Sequence, residues 1–564
     1  MDNIIHDLWP PEAVEAIHTA SLALLERVGV RVESAQARVI LERAGCSVGL
    51  QDRLLFPRQV VEEAVAAGRR TYTLAARGEG RSLELDPDPG QTYVHNMGGA
   101  RDIADARTGI SRRATIADQG DLTRIMHHLA NLHTVCSIVQ PHDVPDPLEP
   151  LYSFLMVAFE TDKYVGGPGI SFPFQARHLK HMAIALNGAT GSDGRYPLDL
   201  AFSPVSPLTL GGDVTDALIA TATDGGLVCE ILPAPAAATT APASISAAVA
   251  QQNAEVLSGL VLLQAVAPGT PCYYGPRLSA VDPRTGVVTS GTPETGSSSM
   301  AAVLLARRYG MVCDCYGPTT DSKVADAQLG IEHAFNTLLG MAAQPRFLSG
   351  IGDLQVGAVT SPEVLVIDDE VLNYAFYALT PRPYDHDALD VEAMIEGVLS
   401  DRGFLGTKHT RRYLRSEFAK PVLAYRGGIE EWTQSGHSGL VDLASERVEE
   451  LLARPAVGLP DAIAEEMCAQ IDAAAREIGL DEWPDPRRML AQRTGEKLVR
   501  GGGVPPPPRD IRHTGKGKET VAWPSRSSTS GLRVRIARSA VRSAKRRATS
   551  CTRRSPSFAT TSRP

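Results

Sequence analysis

Between about residue 90 and residue 380, short apolar runs alternate with longer stretches whose apolar residues recur at helical spacing. The runs end in Gly, Pro, Ser, Asn or His and predict eight strands: Thr92–His95, Thr134–Val139, Tyr164–Gly166, Leu198–Phe202, Leu227–Ile231, Pro271–Tyr274, Val312–Tyr316 and Arg346–Gly350. The stretches between and after them predict eight helices: Ala117–Leu129, Pro150–Glu160, Phe174–Leu186, Asp213–Thr223, Ile245–Val266, Glu294–Tyr309, Ala325–Ala342 and Glu363–Ala378. Parallel strands require helical crossovers, so the pattern predicts an α/β protein built on a (β/α)8 TIM barrel.

A doubly wound open sheet is the rival architecture, because it also alternates strands with helices. Such a sheet normally opens with a glycine-rich turn that cradles phosphate. The segments Gly166–Gly169 and Gly350–Gly352 do not complete GxGxxG. The barrel is therefore favoured.

Helical segments flank the predicted barrel on both sides. Pro11–Val28, Ser34–Arg43 and Phe56–Ala67 predict three N-terminal helices, each stopped by a glycine, and a β-rich patch follows them. After Pro381 a mainly helical region predicts a cap packed on or beside the barrel. We therefore expect four parts: an N-terminal helical and β segment (1–88), the catalytic barrel (89–380), a C-terminal helical cap (381–500) and a disordered basic tail (501–564).

Charge is distributed unevenly along the chain. Residues 509–564 carry fifteen Lys and Arg against two acids, whereas the formal charge of all 564 residues is −9. The body is therefore strongly acidic, which argues against nucleic acid as a partner. The tail is either a disordered extension, which its Arg- and Ser-rich composition favours, or a basic arm for RNA or lipid.

Composition further predicts an intracellular protein. No apolar run approaches the ~20 residues needed to cross a bilayer, and the start, with Asp2 and Asp7, lacks the basic region of a secretory signal. The eight cysteines are scattered and form no disulfide framework. We expect a cytoplasmic location and no membrane partner.

Chemistry in a β/α barrel is carried at the carboxyl ends of the strands. His95, Glu230 and Asp314 stand on or at the ends of predicted strands and are the expected catalytic residues. Seven other residues of these strands and strand ends are expected to bind substrate: Asn96, Tyr273, Tyr274, Tyr316, Ser349, Gly350 and Gly352. His95 and His142 are suited to metal binding or acid–base work, although a single histidine at a strand end is more often a hydrogen-bonded structural group.

Glu230 is unusual because it interrupts the apolar run Leu227–Leu232. A buried carboxyl group needs a partner or a raised pKa. Glu230 is therefore either a proton donor or counter-charge for a cationic substrate, or one half of a salt bridge within the barrel. Tyr273, Tyr274 and Tyr316 gather at adjacent strand ends, and they form either packed core or an aromatic wall for a quaternary ammonium group.

The pair Cys313 and Cys315 suggests a metal site, since side chains two apart on a strand share a face. A structural zinc site needs four ligands, and the chain has no second pair of this kind. Two small residues filling a barrel layer is the favoured interpretation, and we predict no bound metal. Asp314 then faces opposite to the cysteines, so that only one of the two sets lines the lumen.

Long segments of the chain resemble the trimethylamine methyltransferase family. The resemblance lies in Gly317–Glu332, Arg346–Leu354, Ser361–Glu370, Gly286–Glu294 and Leu24–Val32. Its most specific part is the pattern Asp321-x-Lys-x-x-Asp-x-Gln328, continued to Ile367-Asp368. It covers about residues 10–500 and leaves out the basic tail.

The resemblance implies a β/α barrel that moves a methyl group from a methylated amine to cob(I)alamin on a separate corrinoid protein. Family members with pyrrolysine use trimethylamine, whereas characterised members without it demethylate quaternary amines such as glycine betaine. This chain contains no pyrrolysine, so a quaternary amine is the expected substrate. No corrinoid-binding DxHxxG pattern occurs, because Asp385-His386 has the wrong spacing; cobalamin is therefore expected only through the partner.

A cationic substrate strengthens the functional interpretation of Glu230 and of the tyrosines. Asp321, Lys323 and Asp326 fall at the same face, where they either contact substrate or, as we favour, fix the loop by salt bridges. Two alternatives remain: a non-catalytic betaine-binding barrel, and a barrel lyase or decarboxylase of a small acidic metabolite. The lyase would need clustered Arg and Lys at strand ends, where only Arg277 and Lys323 stand. A homo-oligomer is also expected.

Overall fold

The central strands lie where the apolar runs place them. The computed structural model describes residues 5, 7–434, 436 and 438–494, and the predicted tail at 501–564 lies outside these residues. The central strands are β1 (Tyr93–Asn96), β2 (Thr134–Val135), β3 (Tyr164–Val165), β4 (Asp199–Phe202), β5 (Val228–Ile231), β6 (Cys272–Tyr274), β7 (Val312–Tyr316) and β8 (Phe347–Ile351). Six of the eight predicted segments contain one of them, and the other two, Thr92–His95 and Arg346–Gly350, end one residue before β1 and β8 do.

The pairing of these strands is parallel throughout. A six-stranded sheet has the order β4-β5-β6-β7-β8-β1, and β2 pairs with β3. Single bridges join Ala100 to Val139 and Gly169 to Ala201. The α/β class and the parallel sheet are thus confirmed, while the closed eight-stranded barrel stays a prediction.

Helices connect these strands as parallel pairing demands. The helices are α1 (Pro11–Arg27), α2 (Ala35–Arg43), α3 (Arg58–Ala67), α4 (Ile116–His128), α5 (Glu149–Glu160), α6 (Pro173–Asn187), α7 (Gly212–Asp224), α8 (Ile245–Val266), α9 (Pro293–Tyr309), α10 (Ala327–Ala342), α11 (Pro362–Leu379), α12 (Val391–Leu399), α13 (Lys408–Tyr413), α14 (Ile429–Gln434), α15 (Leu440–Leu452), α16 (Asp461–Glu477) and α17 (Pro486–Thr494). Local chemistry sets where they start: Thr115 and Asp118 cap α4 reciprocally, and α5, α6, α9 and α11 carry proline in the first turn.

Several shorter elements complete the fold. Short strands are Arg31–Val32, Ser47–Val48, Leu54–Leu55, Tyr72–Leu74, Leu83–Leu85, Asp102–Ala104, Ser111–Arg113, Arg195–Tyr196, Thr209–Leu210, Ala280–Val281, Val288–Thr289 and Val359–Thr360. Single 3₁₀ turns occur at Leu50–Asp52, Asp146–Leu148 and Phe404–Gly406. None of the helices in the part of the chain that the structure describes is long and apolar enough to cross a membrane.

The N-terminal helices explain why α8 is buried on nearly all sides and has no polar stripe facing solvent. α1, α2 and α3 all pack against α8, so its outer face is covered as well as its inner one. A helix enclosed in this way carries no polar stripe. The N-terminal segment thus forms part of the core around the sheet.

A hairpin closes the amino end of the sheet. Tyr72–Leu74 pairs with Leu83–Leu85, and both pack on a cluster of residues from the first positions of the central strands. Tyr72 stacks on Tyr273 with ring centroids 6.1 Å apart. Any chamber inside the strands must therefore open at their carboxyl ends.

The two long C-terminal helices lie beside the outer helices. α15 packs on α11 and α4, and α16 packs on α6 and α5. Both positions agree with the amphipathic patterns of this region, because each helix buries one stripe against the body.

Candidate functional site

A cavity of about 510 Å³ lies at the carboxyl ends of the central strands. Each of the eight strands, or the loop that follows it, contributes to the lining. The titratable side chains around it are His95, Cys136, Glu149, Tyr164, Asp199, Glu230, Tyr273, Arg277, Asp314, Tyr316 and Asp353. Five carboxyl groups thus face a single arginine, in a space that suits a small molecule.

Alternation along the strands decides which side chains reach the cavity. On β7, Asp314 and Tyr316 line it, whereas Cys313 and Cys315 are buried in the hydrophobic core on the other side. The same rule separates neighbours on β6: Tyr273 lines the cavity, and Tyr274 points away from it. The hydroxyl of Tyr274 donates to Asn253 Oδ1 at 2.9 Å, which is a core contact.

Arg277, three residues beyond β6, links the charged groups of the cavity. Its Nη2 lies 2.6 Å from Asp314 Oδ2 and 3.4 Å from Glu230 Oε1. Its Nη1 donates to the carbonyl oxygens of Asp314 at 2.7 Å and Pro276 at 3.0 Å. The guanidinium also lies 5.0 Å from the ring centroid of Tyr316. Only 7% of Arg277 is exposed, so this buried cation depends on its carboxylate partners.

His95 is held as a cation on the far side of Asp314. Its Nε2 lies 3.1 Å from Asp314 Oδ2, and its Nδ1 lies 2.8 Å from the carbonyl oxygen of Asn96. Both partners accept hydrogen bonds, and only the protonated ring donates from both nitrogens. Burial lowers the pKa of His95, but the Asp314 carboxylate outweighs it and raises the pKa well above its ordinary value. His95 is therefore a fixed positive charge at neutral pH.

Asp314 is correspondingly held as an anion. Burial raises the pKa of Asp314, but the charges of Arg277 and His95 outweigh burial and hold this pKa well below its usual range. One of its oxygens, Oδ1, is buried without a hydrogen-bond partner among the described residues. Asp314 thus carries the negative charge between two cations.

The pKa of Glu230 is shifted in the opposite direction from that of Asp314. Burial and the neighbouring Asp314 carboxylate raise the pKa of Glu230 well above its ordinary value, although Arg277 opposes them. Gly275 makes room for the carboxyl group, since a Cβ atom there would lie 2.3 Å from Glu230 Oε1. The neutral form of Glu230 is therefore more favoured than that of an ordinary glutamate, and a further cation nearby would favour the ionised form.

Asp199 and Tyr164 form a second buried pair on the cavity wall. The Tyr164 hydroxyl donates to Asp199 Oδ1 and accepts from the Asp199 backbone N–H at 2.9 Å. Burial raises the pKa of Asp199. This wall therefore offers a second carboxyl group whose ionised form a nearby cation would favour.

Asp353 lies on the loop after β8 and is fixed by the backbone. The N–H groups of Thr320 and Gly357 donate to its two oxygens at 2.8 and 2.5 Å. Burial raises the pKa of Asp353 to about 7, against the opposing charge of His333. The adjacent Gly352 N–H donates to Asp368 at 2.7 Å, and Asp368 in turn pairs with His333.

Replacing Asp353 by asparagine is expected to make stability less sensitive to pH. The carboxyl group titrates near pH 7 when folded and near 3.8 otherwise, so its contribution is present below about pH 4 and is lost as the pH rises to about 7. Asparagine has no such loss. Melting temperatures between pH 5 and 8 should therefore show wild type falling relative to the variant by a few degrees.

The matched control for this measurement is Asp282→Asn, in an exposed turn. The pKa of Asp282 is lowered to about 2 by its hydrogen bonds with Arg284 and Thr285, so Asp282 stays ionised between pH 5 and 8. Its variant should keep a constant offset from wild type across that window. A constant offset for Asp353→Asn as well would contradict a titration near pH 7.

The remaining sequence-predicted residues divide between cavity and core. Asn96, Ser349 and Gly350 line the cavity, whereas Tyr274 and Gly352 lie outside its lining. The side chain of Asn96 is used structurally, because it accepts from the Cys136 N–H at 3.0 Å and donates to the carbonyl oxygens of Met97 and Cys136.

The other polar candidates form hydrogen bonds that hold loops in place. His142 bonds the carbonyl oxygen of Ala114 at 2.7 Å and is outside the cavity lining. Asp321 accepts from the Ser290 N–H at 2.8 Å, Lys323 donates to the Asp321 carbonyl, and Asp326 caps α10. These three therefore fix the loop, although by hydrogen bonds and a helix cap and not by the salt bridges that we favoured from sequence.

Sequence reasoning did not assign Arg277, Asp199, Tyr164 or Asp353 to the site. Period-two alternation on β4 marks Asp199 as an inward carboxyl group once β4 is accepted as a strand. The sequence places Arg277 at a strand end, but nothing in the sequence indicates which carboxyl groups it pairs with, because those lie on other strands. Among the described residues, no group of three or more His, Cys, Asp or Glu is placed to hold a metal ion.

Comparison with known proteins adds an independent finding. Residues 3–479 match the model of the family described as trimethylamine methyltransferase (MTTB). A glycine betaine methyltransferase of Desulfitobacterium hafniense (strain Y51) is 27% identical over 438 residues, which cover 76% of this chain and 89% of that protein. A trimethylamine methyltransferase MttB of Methanosarcina thermophila is 26% identical over 455 residues, covering 79% of this chain and 92% of that protein. A solved structure, described as the crystal structure of the hydroxylamine MtmB complex, matches with a TM-score of 0.43 and 12% identity, covering 78% and 92% of the two chains.

Proposed function

Because the chain belongs to the trimethylamine methyltransferase family, and is thereby a methyltransferase, we propose that it demethylates a quaternary amine such as glycine betaine and passes the methyl group to a separate corrinoid protein. The observation that carries the proposal is the division of charge in the cavity. Asp314, Arg277 and His95 together leave one positive charge in excess, whereas burial raises the pKa values of Glu230 and Asp199. A zwitterion matches both sides of this arrangement.

The ammonium end of such a substrate suits the wall formed by Glu230, Asp199 and Tyr273. Tyr273 presents an aromatic ring whose hydroxyl has no hydrogen-bond partner among the described residues. Aromatic faces attract quaternary ammonium groups by about 0.5–2 kcal/mol. A permanent cation favours the ionised form of a carboxyl group whose pKa is raised, so binding of the substrate increases the negative charge of this wall.

The carboxylate end is attracted by the net positive charge of Arg277, His95 and Asp314, while both ring nitrogens of His95 keep their hydrogen bonds to protein groups. Arg277 is fixed by two backbone carbonyl oxygens and Asp314, and His95 is fixed by Asp314 and Asn96. Groups anchored in this way need little reorganisation to accept a charged ligand. The substrate is thereby oriented with one methyl group free to face the open end of the cavity.

The chemistry requires orientation more than acid–base work. The carbon–nitrogen bond of a quaternary ammonium breaks with its electron pair left on nitrogen, and the leaving group is a neutral tertiary amine that needs no proton. Cob(I)alamin on the partner would supply the nucleophile. The cavity of about 510 Å³ fits a small amine and not a whole corrinoid, which agrees with a cofactor presented from outside by a partner protein.

The decisive experiment supplies the full chain with a reduced corrinoid protein and a panel of quaternary amines, with trimethylamine as the control. We expect methylation of the corrinoid with a quaternary amine, and none with trimethylamine, because the chain contains no pyrrolysine. Calorimetric binding is measured in parallel. Retained betaine binding without transfer across the panel would replace the enzyme proposal by that of a betaine-binding protein.

The two adjacent tyrosines of β6 offer a matched test of the cation wall. Tyr273→Leu is expected to weaken binding of the quaternary amine about 2- to 30-fold, because it removes the ring that lines the cavity. Tyr274→Leu should leave affinity unchanged and lower the free energy of unfolding by about 1–3 kcal/mol, since the Asn253 oxygen loses its donor. Calorimetry and denaturant unfolding measure both effects; equal effects on affinity would contradict the assignment.

Three further parts of the architecture belong to the proposal. We propose that the pair β2–β3 completes the six-stranded sheet into a closed (β/α)8 barrel. We also retain the division into residues 1–88, 89–380 and 381–500 as segment, barrel and cap. Support comes from the single bridges on either side of the pair and from the lining of the cavity by all eight strands or their loops.

A further inference from the structure

Residues 381–416, here called the arm, leave the body after α11 and return to it. Arg382 donates to the Tyr377 carbonyl oxygen at the start, and the Tyr377 hydroxyl donates to the Glu417 carbonyl just past the end. Between these anchors, α12 and α13 pack on the short helix Phe404–Gly406. Within the arm only Gly397 and Thr407 are buried.

The arm concentrates exposed apolar side chains. Ten of the thirty large hydrophobic residues exposed in the described chain lie within its 36 residues: Tyr384, Leu389, Val391, Met394, Ile395, Val398, Leu399, Phe404, Leu405 and Leu414. Helices of nine and six residues are too short to be stable in water without packing partners. Such a concentration of exposed apolar side chains is typical of an interaction site.

The two halves of the arm carry opposite net charges, which bears on the kind of partner that the arm binds. The outgoing half, 381–401, carries six acids and one arginine, and the returning half, 402–416, carries five Lys and Arg and no acid. The halves thus have net charges of −5 and +5. One ion pair, Arg412 with Asp387, joins them at 2.8 Å, whereas Glu392, Glu396, Lys408 and Arg415 have no ion pair among the described residues.

We propose that the arm binds the arm of a second copy of this chain, forming a twofold-symmetric dimer. A twofold interface uses the same patch on both copies and must be self-complementary. Equal and opposite charges on consecutive halves meet this condition, because a twofold axis sets each acidic half against the basic half of the other copy. The ten apolar side chains supply a dry centre for an interface of standard size, about 800 Å² per partner.

The test is the solution mass of the full chain, by light scattering and sedimentation over a wide range of protein concentration. We expect twice the chain mass of 60.2 kDa. The double variants Glu392→Lys/Glu396→Lys and Lys408→Glu/Arg415→Glu should each weaken self-association by at least about tenfold. A mixture of the two variants should recover it, because in the mixed dimer the two reversed halves face each other with opposite charge, and so do the two unreversed halves.

Matched controls separate a surface effect from a folding defect. Asp481→Lys/Glu482→Lys changes two exposed acids outside the arm and should leave the dimer intact, while circular dichroism should be the same for all variants. A monomer at every concentration would overturn the proposal. The arm would then bind something other than a second copy, such as another protein or the chain's own basic tail. A dimer that resists both reversals would overturn it too, since the interface then lies elsewhere. Neither result depends on methyl transfer.

Discussion

Replacing Arg277 by methionine is expected to abolish methyl transfer and to lower the free energy of unfolding by about 3–5 kcal/mol. The guanidinium stabilises Asp314 and Glu230 at 2.6 and 3.4 Å inside the protein. Without it, Asp314 keeps only His95, and two buried carboxyl groups face each other. Denaturant unfolding measures the loss of stability, and corrinoid methylation measures the loss of turnover.

Two further variants show whether charge or geometry is responsible. Arg277→Lys restores a positive charge but cannot span two carbonyl oxygens and a carboxylate at once, so we expect part of the stability to return and activity to stay low. Arg284→Met removes an exposed arginine from a turn and should change neither. If Arg277→Met has the same free energy of unfolding as wild type, the ion pairs of Arg277 do not stabilise the fold.

Replacing Glu230 by glutamine is expected to weaken binding of a quaternary amine about 10- to 100-fold. A carboxylate about 5 Å from a cation in a partly buried site contributes about 3 kcal/mol at an effective dielectric constant near 20, less what is needed to remove its proton. Because the pKa of Glu230 is raised by burial and by Asp314, wild-type affinity should increase as the pH rises. Glu230→Gln should lose that part of the pH dependence.

The control ligand for this prediction is 3,3-dimethylbutanoate, the carbon isostere of glycine betaine. It has the same shape and carboxylate but no positive charge, so its affinity should be unaffected by Glu230→Gln or should rise. Calorimetry on both ligands gives the comparison directly. A similar loss for both would show that the variant alters the shape of the cavity and not its charge.

The local spacing of apolar and polar residues predicts most positions of the helices and strands. Every predicted strand overlaps an observed one, and the amphipathic patterns of Val391–Leu399, Leu440–Leu452 and Leu459–Ile478 predict helices where α12, α15 and α16 lie. The family resemblance is confirmed by the match over residues 3–479. These features are local or linear, so neighbouring residues suffice to predict them.

Individual side chains of the site were less accessible to that reasoning. Tyr273 and Tyr274 are equivalent by composition and position, yet adjacent residues of a strand cannot both face the cavity. Register and burial decide the matter, and Tyr273 is the residue that lines it. His95 reads as an acid–base candidate in sequence, but the two acceptors around it make it a fixed cation.

By itself the sequence determined the α/β class, the strand–helix alternation, the acidic body and the methyltransferase family, because periodicity, composition and motif are written along the chain. Only the tertiary structure decided that Arg277 binds Glu230 and Asp314 and that His95 binds the same Asp314, because these residues lie on strands and loops that are distant in sequence. The ionisation of these groups follows from mutual distance and burial, which are properties of the folded molecule alone.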